Sequence, residues 1–552
     1  MMDMPIISAV LLLAVTATPE TSPSVFDDPA PPAPAGQLDR IVFAKLSSLN
    51  IQPVLCSDAV FVRRAYLDVI GTLPTAKEAR DFIQDPDAKG KRRALIDRLL
   101  ERGEFADYWA MKWGDVLRIK AEFPVNLWPN AAQAYHRWVR SSIAANKPYD
   151  KFVRELLTSS GSNFRVAPVN FYRAIQNRTP DGIAAAVALT FMGSRVDSWP
   201  KDRPAGMAVF FSQIGYKPTR EWKEENVFWD PFHTSIPPAG DGTKATQAAT
   251  TLPTANGPLT AVFPDGTKCN LPPDHDPRVV FADWLITSRN PWFTRAVVNR
   301  VWAWLLGRGI IHEPDDIRED NPPSNPELLA YLEKEMAAGG YDMKRLYRLI
   351  LTSSTYQLSS MPRSKVPRAG AQFASYPLRR LDAEVLIDAI NEVTGASDLY
   401  TSPIPEPFTY IPRGYPAVAI PDGSITSPFL ALFGRSARAT GMENERDNKL
   451  IPAQWLHLLN SSHIQRKLEQ GPNLKALFDS PRRPAEIVEE LYLTVLSRFP
   501  TPQEVRSAEG YGAIISPSKS GKSPSSVPTK KREDWVDITW SLINSTEFLY
   551  RH

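Results

Sequence analysis

Residues 66–80 read Tyr66-Leu67-Asp68-Val69-Ile70-Gly71-Thr72-Leu73-Pro74-Thr75-Ala76-Lys77-Glu78-Ala79-Arg80. The pattern returns as Tyr492-Leu493-Thr494-Val495 and then Pro500-Thr501-Pro502-Gln503-Glu504-Val505-Arg506. Tyr, Leu, Val, Pro, Thr, Glu and Arg recur at one constant offset. In each copy an amphipathic helix stops before a proline and Thr caps the next helix. Glu, three residues on, closes a capping box by reaching back to the Thr backbone N–H. A helix with a shared ending follows each copy, Leu100-x-x-x-x-Phe105 or Ile543-x-x-x-x-Phe548, and Leu351-x-x-x-x-Tyr356 repeats that ending mid-chain. The expected fold is mainly α, with a helical-hairpin unit duplicated near both ends.

Outward from the first copy, residues 38–217 keep a helical pattern. Leu95, Leu99 and Leu100 mark one apolar face, and Phe105, Trp109, Trp113 and Val116 mark the next. Residues 218–275 turn to Pro, Gly, Thr and Ala, and Phe263-Pro264-Asp265-Gly266-Thr267 is a turn signal, so an irregular connector with a short β hairpin is expected. A second helical domain spans 276–552, interrupted by a proline-rich stretch after Pro403 and by a Ser/Lys/Pro-rich insert, 516–531, of disorder-prone composition. At the start, residues 6–15 form an apolar run too short to span a bilayer but suited to a signal peptide, with Val15-Thr16-Ala17 as the cleavage site. The segment before that run carries no Lys or Arg. Residues 18–37 have the composition of an extended linker.

A chain of 552 residues exceeds the size of one ordinary hydrophobic core, so two domains are the default. The 64 basic and 61 acidic residues leave a net charge of +3, which gives no electrostatic case for nucleic acid. Cys56 and Cys269 are the only cysteines. They allow one disulfide and exclude a four-Cys zinc site or an iron–sulfur cluster. No nucleophile elbow, P-loop, dinucleotide fingerprint or His-Glu-x-x-His is present.

The run Asp58-Ala59-Val60-Phe61-Val62-Arg63-Arg64-Ala65-Tyr66-Leu67-Asp68-Val69, continued at Lys147-Pro148-Tyr149-Asp150-Lys151-Phe152-Val153, resembles the first, PSCyt-type domain of a planctomycete-cytochrome-associated family. Asn290-Pro291-Trp292-Phe293-Thr294-Arg295-Ala296-Val297-Val298-Asn299-Arg300-Val301-Trp302 resembles its usual companion, a PSD-type domain. So do Asp315-Asp316-x-Arg318, Asn321-Pro322-Pro323-Ser324 and Arg379-Arg380-Leu381. The resemblance implies an exported protein from a group whose members often carry cytochrome-like segments, and it implies no assigned activity. Two departures stand out. Relatives place Cys-x-x-Cys-His ahead of a Phe-Phe stretch, where this chain has Phe191-Met192-Gly193-Ser194-Arg195-Val196-Asp197-Ser198-Trp199 before Phe210-Phe211. Relatives also place Cys-x-Cys before Glu-Arg, where Met442 and Asn444 stand here. Covalent haem needs the missing motif, so no haem and no other cofactor is expected.

The stretch richest in chemistry is His312-Glu313-Pro314-Asp315-Asp316-Ile317-Arg318-Glu319-Asp320-Asn321. Adjacent carboxylates repel unless a cation or proton separates them. Arg300 and Arg318 are candidates to neutralise them as structural ion pairs. Asp315, Asp316 and Asn321 are candidates for a hard cation, and Asp315 and Asp316 with the two arginines are candidates for catalysis. Arg379, Arg380 and Asp382 are expected to clamp a helix start, with the two arginines also ligand-binding candidates. Trp109 and Trp113 are expected in the core, and Trp128, beside Pro129, is the candidate for stacking on a sugar ring. Among seven histidines none pairs at helical metal-site spacing, and His457 and His463 are expected on different sides of one helix. Asp274-His275-Asp276 is expected to cap or face solvent.

The reading that follows is an exported, non-haem interaction or scaffold protein of the periplasm, cell surface or medium, with an envelope protein or polysaccharide as partner and no transmembrane span. Two alternatives stay open: a carbohydrate-active enzyme with an acidic site at Asp315 and Asp316, and a docking partner of a separate cytochrome.

Overall fold

The computed structural model describes residues 24–200, 202–232, 259–367, 369–512 and 530–552. The signal-type run, most of the insert and the middle of the connector lie outside those residues. The chain is mainly α, with three short two-stranded antiparallel sheets and one three-stranded sheet among the described residues. No described helix is long and apolar enough to cross a membrane.

The duplicated unit takes the form its sequence dictates. The helix Asp58–Val69 ends at Ile70, and Thr75 caps Ala76–Gln84 with the full capping box. Glu78 N donates to Thr75 Oγ1 at 3.2 Å, and Thr75 N donates to Glu78 Oε2 at 2.9 Å. In the second copy Pro484–Leu496 precedes Pro502–Gly510, with the same reciprocal bonds between Thr501 and Glu504. The turn between the helices passes through the left-handed region at equivalent positions, Gly71 (φ 68°) and Ser497 (φ 59°). At Gly71 a Cβ would stand 2.4 Å from the Tyr108 ring, so only glycine fits.

The two copies pack on each other. Ala76 and Ala79 of the first meet Leu493 of the second, with Phe499 alongside. Arg80 bridges to Glu490 at 2.9 Å. Arg63 donates to Val495 O and Phe548 O, and Arg64 to Tyr356 O and His552 O. The two helical regions read from the sequence therefore share one core, a cluster of buried residues running from Leu38 to Leu549. Leu95, Leu99, Leu100, Phe105, Trp109, Trp113 and Val116 all lie in it.

The connector holds the expected hairpin. Leu259–Val262 pairs with Lys268–Leu271, and Gly266 (φ 92°) sits in the turn between them. The described part of the proline-rich segment at the start is ordered far enough to pair Asp27–Asp28 with Leu55–Cys56. Cys56 is buried in that pairing and Cys269 lies in the hairpin; both are free thiols. Asp276 caps Pro277–Leu285 and holds Arg278 at 2.7 Å.

One expectation is corrected here. His457 and His463 do not share a helix. Ser461 ends Pro452–Asn460 and accepts from Ile464 N to cap Ser462–Gln470. That break turns the second helix so that the two imidazoles face each other, 3.2 Å apart between His457 Nε2 and His463 Nδ1.

A buried ionic chain ties the regions together. Asp382 meets Lys112 at 2.9 Å and Arg551 at 3.0 Å. Arg446 meets Asp115 at 2.7 Å and Glu384 at 2.6 Å, and Arg438 meets Asp115 at 3.0 Å. Asp382 occupies the cap position of Ala383–Thr394, yet its side chain makes no cap bond. The helix-start role expected for it is replaced by this ion cluster, because two cations compete with backbone N–H groups and win.

Candidate functional site

The acidic loop is organised by Arg300, buried on the helix Phe293–Leu306. Its guanidinium donates to Thr190 O at 2.7 Å, to Leu189 O at 3.2 Å and to Asp315 Oδ1 at 2.7 Å. The other Asp315 oxygen accepts from Glu443 N at 2.6 Å, and Trp304 Nε1 donates to Glu443 Oε2 at 2.6 Å. Burial opposes the charge on Arg300, but Asp315 outweighs it and raises the pKa. Burial, first, raises that of Glu443.

Leu189 and Thr190 belong to a wide helical turn, Ala188–Met192, that ends at Gly193. Ile317 N donates to Gly193 O at 2.9 Å. A Cβ on Gly193 (φ 60°) would meet Ile317 Cδ1 and Pro314 O at 2.9 Å, so the approach requires glycine. The two stretches where the chain departs from the resembling family, 191–199 and 441–446, thus both close on the Asp315 loop. An arginine-centred clamp fills their junction.

Both Asp315 oxygens accept from protein donors and the side chain is buried, so it faces no open cavity at the surface. Asp316 and Asp320 flank Arg318 on the surface at 3.4 and 3.2 Å. Asn321 turns its amide nitrogen to His312 O and Asp316 O and so closes the loop on itself. Among the described residues, no group of three or more His, Cys, Asp or Glu side chains is placed to hold a metal ion. Asp315→Ala should therefore act on folding: it strands Arg300 in the core and is expected to cost about 3–5 kcal/mol in urea unfolding. A loss under about 1 kcal/mol would contradict the clamp.

Arg379 and Arg380 are also engaged internally. Arg379 donates to Trp304 O and Leu305 O, both at 2.8 Å, and so caps the end of the Arg300 helix. Arg380 donates to Phe433 O at 2.7 Å and to Asn448 O at 3.2 Å.

Trp128 is different: it is half-buried, with one side packed against the core and exposed aromatic residues beside it. The turn before it is closed by Leu127 N to Lys120 O and by Trp128 N to Ala121 O. Its base is tied to a distant segment through Ala121 N to Asp422 Oδ1 and Glu122 N to Ser424 Oγ, both 2.8 Å. These anchors hold Trp128 at φ 72°, ψ 148°, a conformation nearly restricted to glycine. The Trp128 ring packs on Phe408 with centroids 5.3 Å apart. Lys223 Nζ lies 5.7 Å from the Trp128 ring and 5.3 Å from the Trp222 ring. Trp222 is 70% exposed; Tyr410, two residues beyond Phe408, is 64% exposed; and Phe123, in the turn before Trp128, is 76% exposed. Three chain segments thus bring Trp128, Phe408, Trp222 and the Lys223 ammonium together, and Tyr410 and Phe123 are exposed neighbours of this cluster in sequence. The residues packed around Trp128 were hidden from the sequence because they come from distant segments.

Two family models match the chain. PSCyt2, a protein of unknown function (DUF1549), covers residues 37–197, and PSD1, a protein of unknown function (DUF1553), covers residues 277–511. No curated protein and no solved structure matches.

Proposed function

Because the chain joins a PSCyt2 domain to a PSD1 domain, two families without an assigned reaction, we propose that it is a non-haem interaction protein exported to the cell envelope. Its partner in this reading is a polysaccharide, held on the aromatic face around Trp128. The observation that carries the reading is that face. Large aromatic rings left in water cost free energy unless a partner covers them, and flat apolar faces beside hydrogen-bonding groups suit the C–H faces of sugar rings. Backbone strain at Trp128 adds support, since strain of about 1–3 kcal/mol persists where a position is held for use. The signal-type run at residues 6–15 supports export. The Arg300 clamp speaks against the enzyme alternative, because it engages both oxygens of the carboxylate that would have to react.

The test is co-sedimentation of the purified chain with peptidoglycan sacculi, chitin and cellulose. Retention on at least one polymer is expected. Trp222→Ala combined with Tyr410→Ala should lower retention at least tenfold. The melting temperature should hold, because both side chains are mostly exposed and such substitutions shift stability by about 0.5 kcal/mol or less. Retention on none of the three, or equal retention of the double variant, would overturn the reading.

A further inference from the structure

Away from that face, a cleft of 710 Å3 opens between the Ala383–Thr394 end of the second region and the helices on either side of Ser461. His457, His463, Asp398, Ser427, Phe429 and Lys467 line it. We propose that His457 and His463 form a binding site for a first-row transition-metal dication of the Zn2+ or Cu2+ class, with Asp398 orienting His463 from behind.

The geometry carries the assignment. His457 Nε2 and His463 Nδ1 stand 3.2 Å apart. Two imidazole nitrogens on one tetrahedral Zn2+, each at about 2.0–2.1 Å, stand about 3.3 Å apart. Little movement is therefore needed to admit a metal. The ring centroids are 5.5 Å apart, so the nitrogens face one another across one shared hydrogen bond. A tautomer shift that carries the His457 proton to Nδ1 leaves two lone pairs on the gap without changing the charge.

The surroundings match what a ligating imidazole requires. Asp398 Oδ1 lies 2.7 Å from His463 Nε2, which fixes the proton there and frees Nδ1 as a donor to metal. Lys467 Nζ holds the other carboxylate oxygen at 2.9 Å and is itself tied to Asn391 Oδ1 at 2.6 Å. The carboxylate is thereby kept behind the histidine, and its charge is balanced. Phe429 sets its ring edge-on to both imidazoles, at 5.7 and 6.0 Å, and Phe433 does the same to His457 at 6.1 Å. Arg466 is folded back on Ser462 O at 3.0 Å. The imidazoles come from two helices whose relative angle is set by the Ser461 cap, so the pair is preorganised. Two protein ligands leave the remaining positions to water from the cleft, one protein ligand fewer than an open catalytic zinc site has.

Titration of the full chain with Cu2+, followed by electron paramagnetic resonance, tests the proposal, with Zn2+ calorimetry alongside. One equivalent should bind with hyperfine coupling from two imidazole nitrogens. His457→Asn should abolish that equivalent, and since His457 hydrogen-bonds no side chain but His463 among the described residues, this variant should keep its fold by circular dichroism. Asp398→Asn should weaken affinity about 10–100-fold while keeping the stoichiometry. Unchanged stoichiometry in His457→Asn would overturn the site. So would a bound Cu2+ coupled to one nitrogen, or Zn2+ that leaves the imidazole proton resonances unmoved, since the pair would then only share a proton.

Discussion

Asp382→Ala is expected to be among the most damaging single changes to this fold, with a loss of about 3–5 kcal/mol in urea or thermal unfolding. The carboxylate is 1% exposed and lies between Lys112 and Arg551, and Asn448 Nδ2 donates to its other oxygen at 3.0 Å. Burial alone would raise its pKa, but Lys112, Arg551 and Arg446 together hold it well below the ordinary carboxylate value. Removing it leaves Lys112 without its counterion in the core and leaves Arg551 only the more distant Asp68, at 3.5 Å. Asp382→Asn separates charge from shape, because it fills the same volume and still takes the shared counterion from Lys112 and Arg551. The asparagine variant should lose nearly as much as the alanine variant. A large gap between them would assign the effect to packing. The sign with pH follows from the depressed pKa. Stability from Asp382 is fully present above the unfolded value near 4 and is lost as pH falls below it. The gap between wild type and Asp382→Asn should accordingly narrow only in strong acid.

His136→Phe is expected to change the shape of the acid-unfolding curve. His136 is buried on Pro129–Ala144, and its Nε2 has no hydrogen-bond partner. Burial first, then Arg438, Arg140 and Arg137, push its pKa down from 6.5 to about 3. The fold thus holds the neutral ring, while the unfolded chain takes up a proton below pH 6.5. Stability from this residue is present above pH 6.5 and falls by about 1.4 kcal/mol per pH unit as pH drops towards 3. At pH 4.5 the wild type has lost about 3 kcal/mol that the phenylalanine variant retains. Urea midpoints from pH 8 to 4 measure the difference. The two curves should diverge steadily below 6.5, and parallel curves would refute the assignment.

Local rules made part of this molecule legible from its sequence. The capping boxes at Thr75 and Thr501, the turn at Gly266 and the apolar faces through Trp109 and Trp113 depend on neighbours within a few residues, and the structure has them all. The pairing of Arg300 with Asp315 was legible too, since adjacent carboxylates demand a cation. Its remaining acceptors, Leu189 O and Thr190 O, were not, because backbone carbonyls carry no residue signature. The docking of the two hairpin copies escaped for a related reason: Arg80 meets Glu490 across more than four hundred residues of chain. The histidine pair was misplaced although its signal was present. Asn460-Ser461-Ser462 contains a helix cap, and reading Ser461 as a break would have turned the rings towards each other.

Arg63 and Arg64 bear on how this protein comes to be made. Arg63 reaches Val495 O and Phe548 O, 432 and 485 residues downstream, and Arg64 reaches Tyr356 O, 292 residues on, and His552 O, 488 residues on. During synthesis at about 5–20 residues per second, those guanidiniums wait for tens of seconds without the carbonyls that satisfy them. Until then the first region lacks part of its core, and its nascent form presents two charged side chains and the apolar face that meets Leu493. Such a chain suits delivery through a translocon before folding.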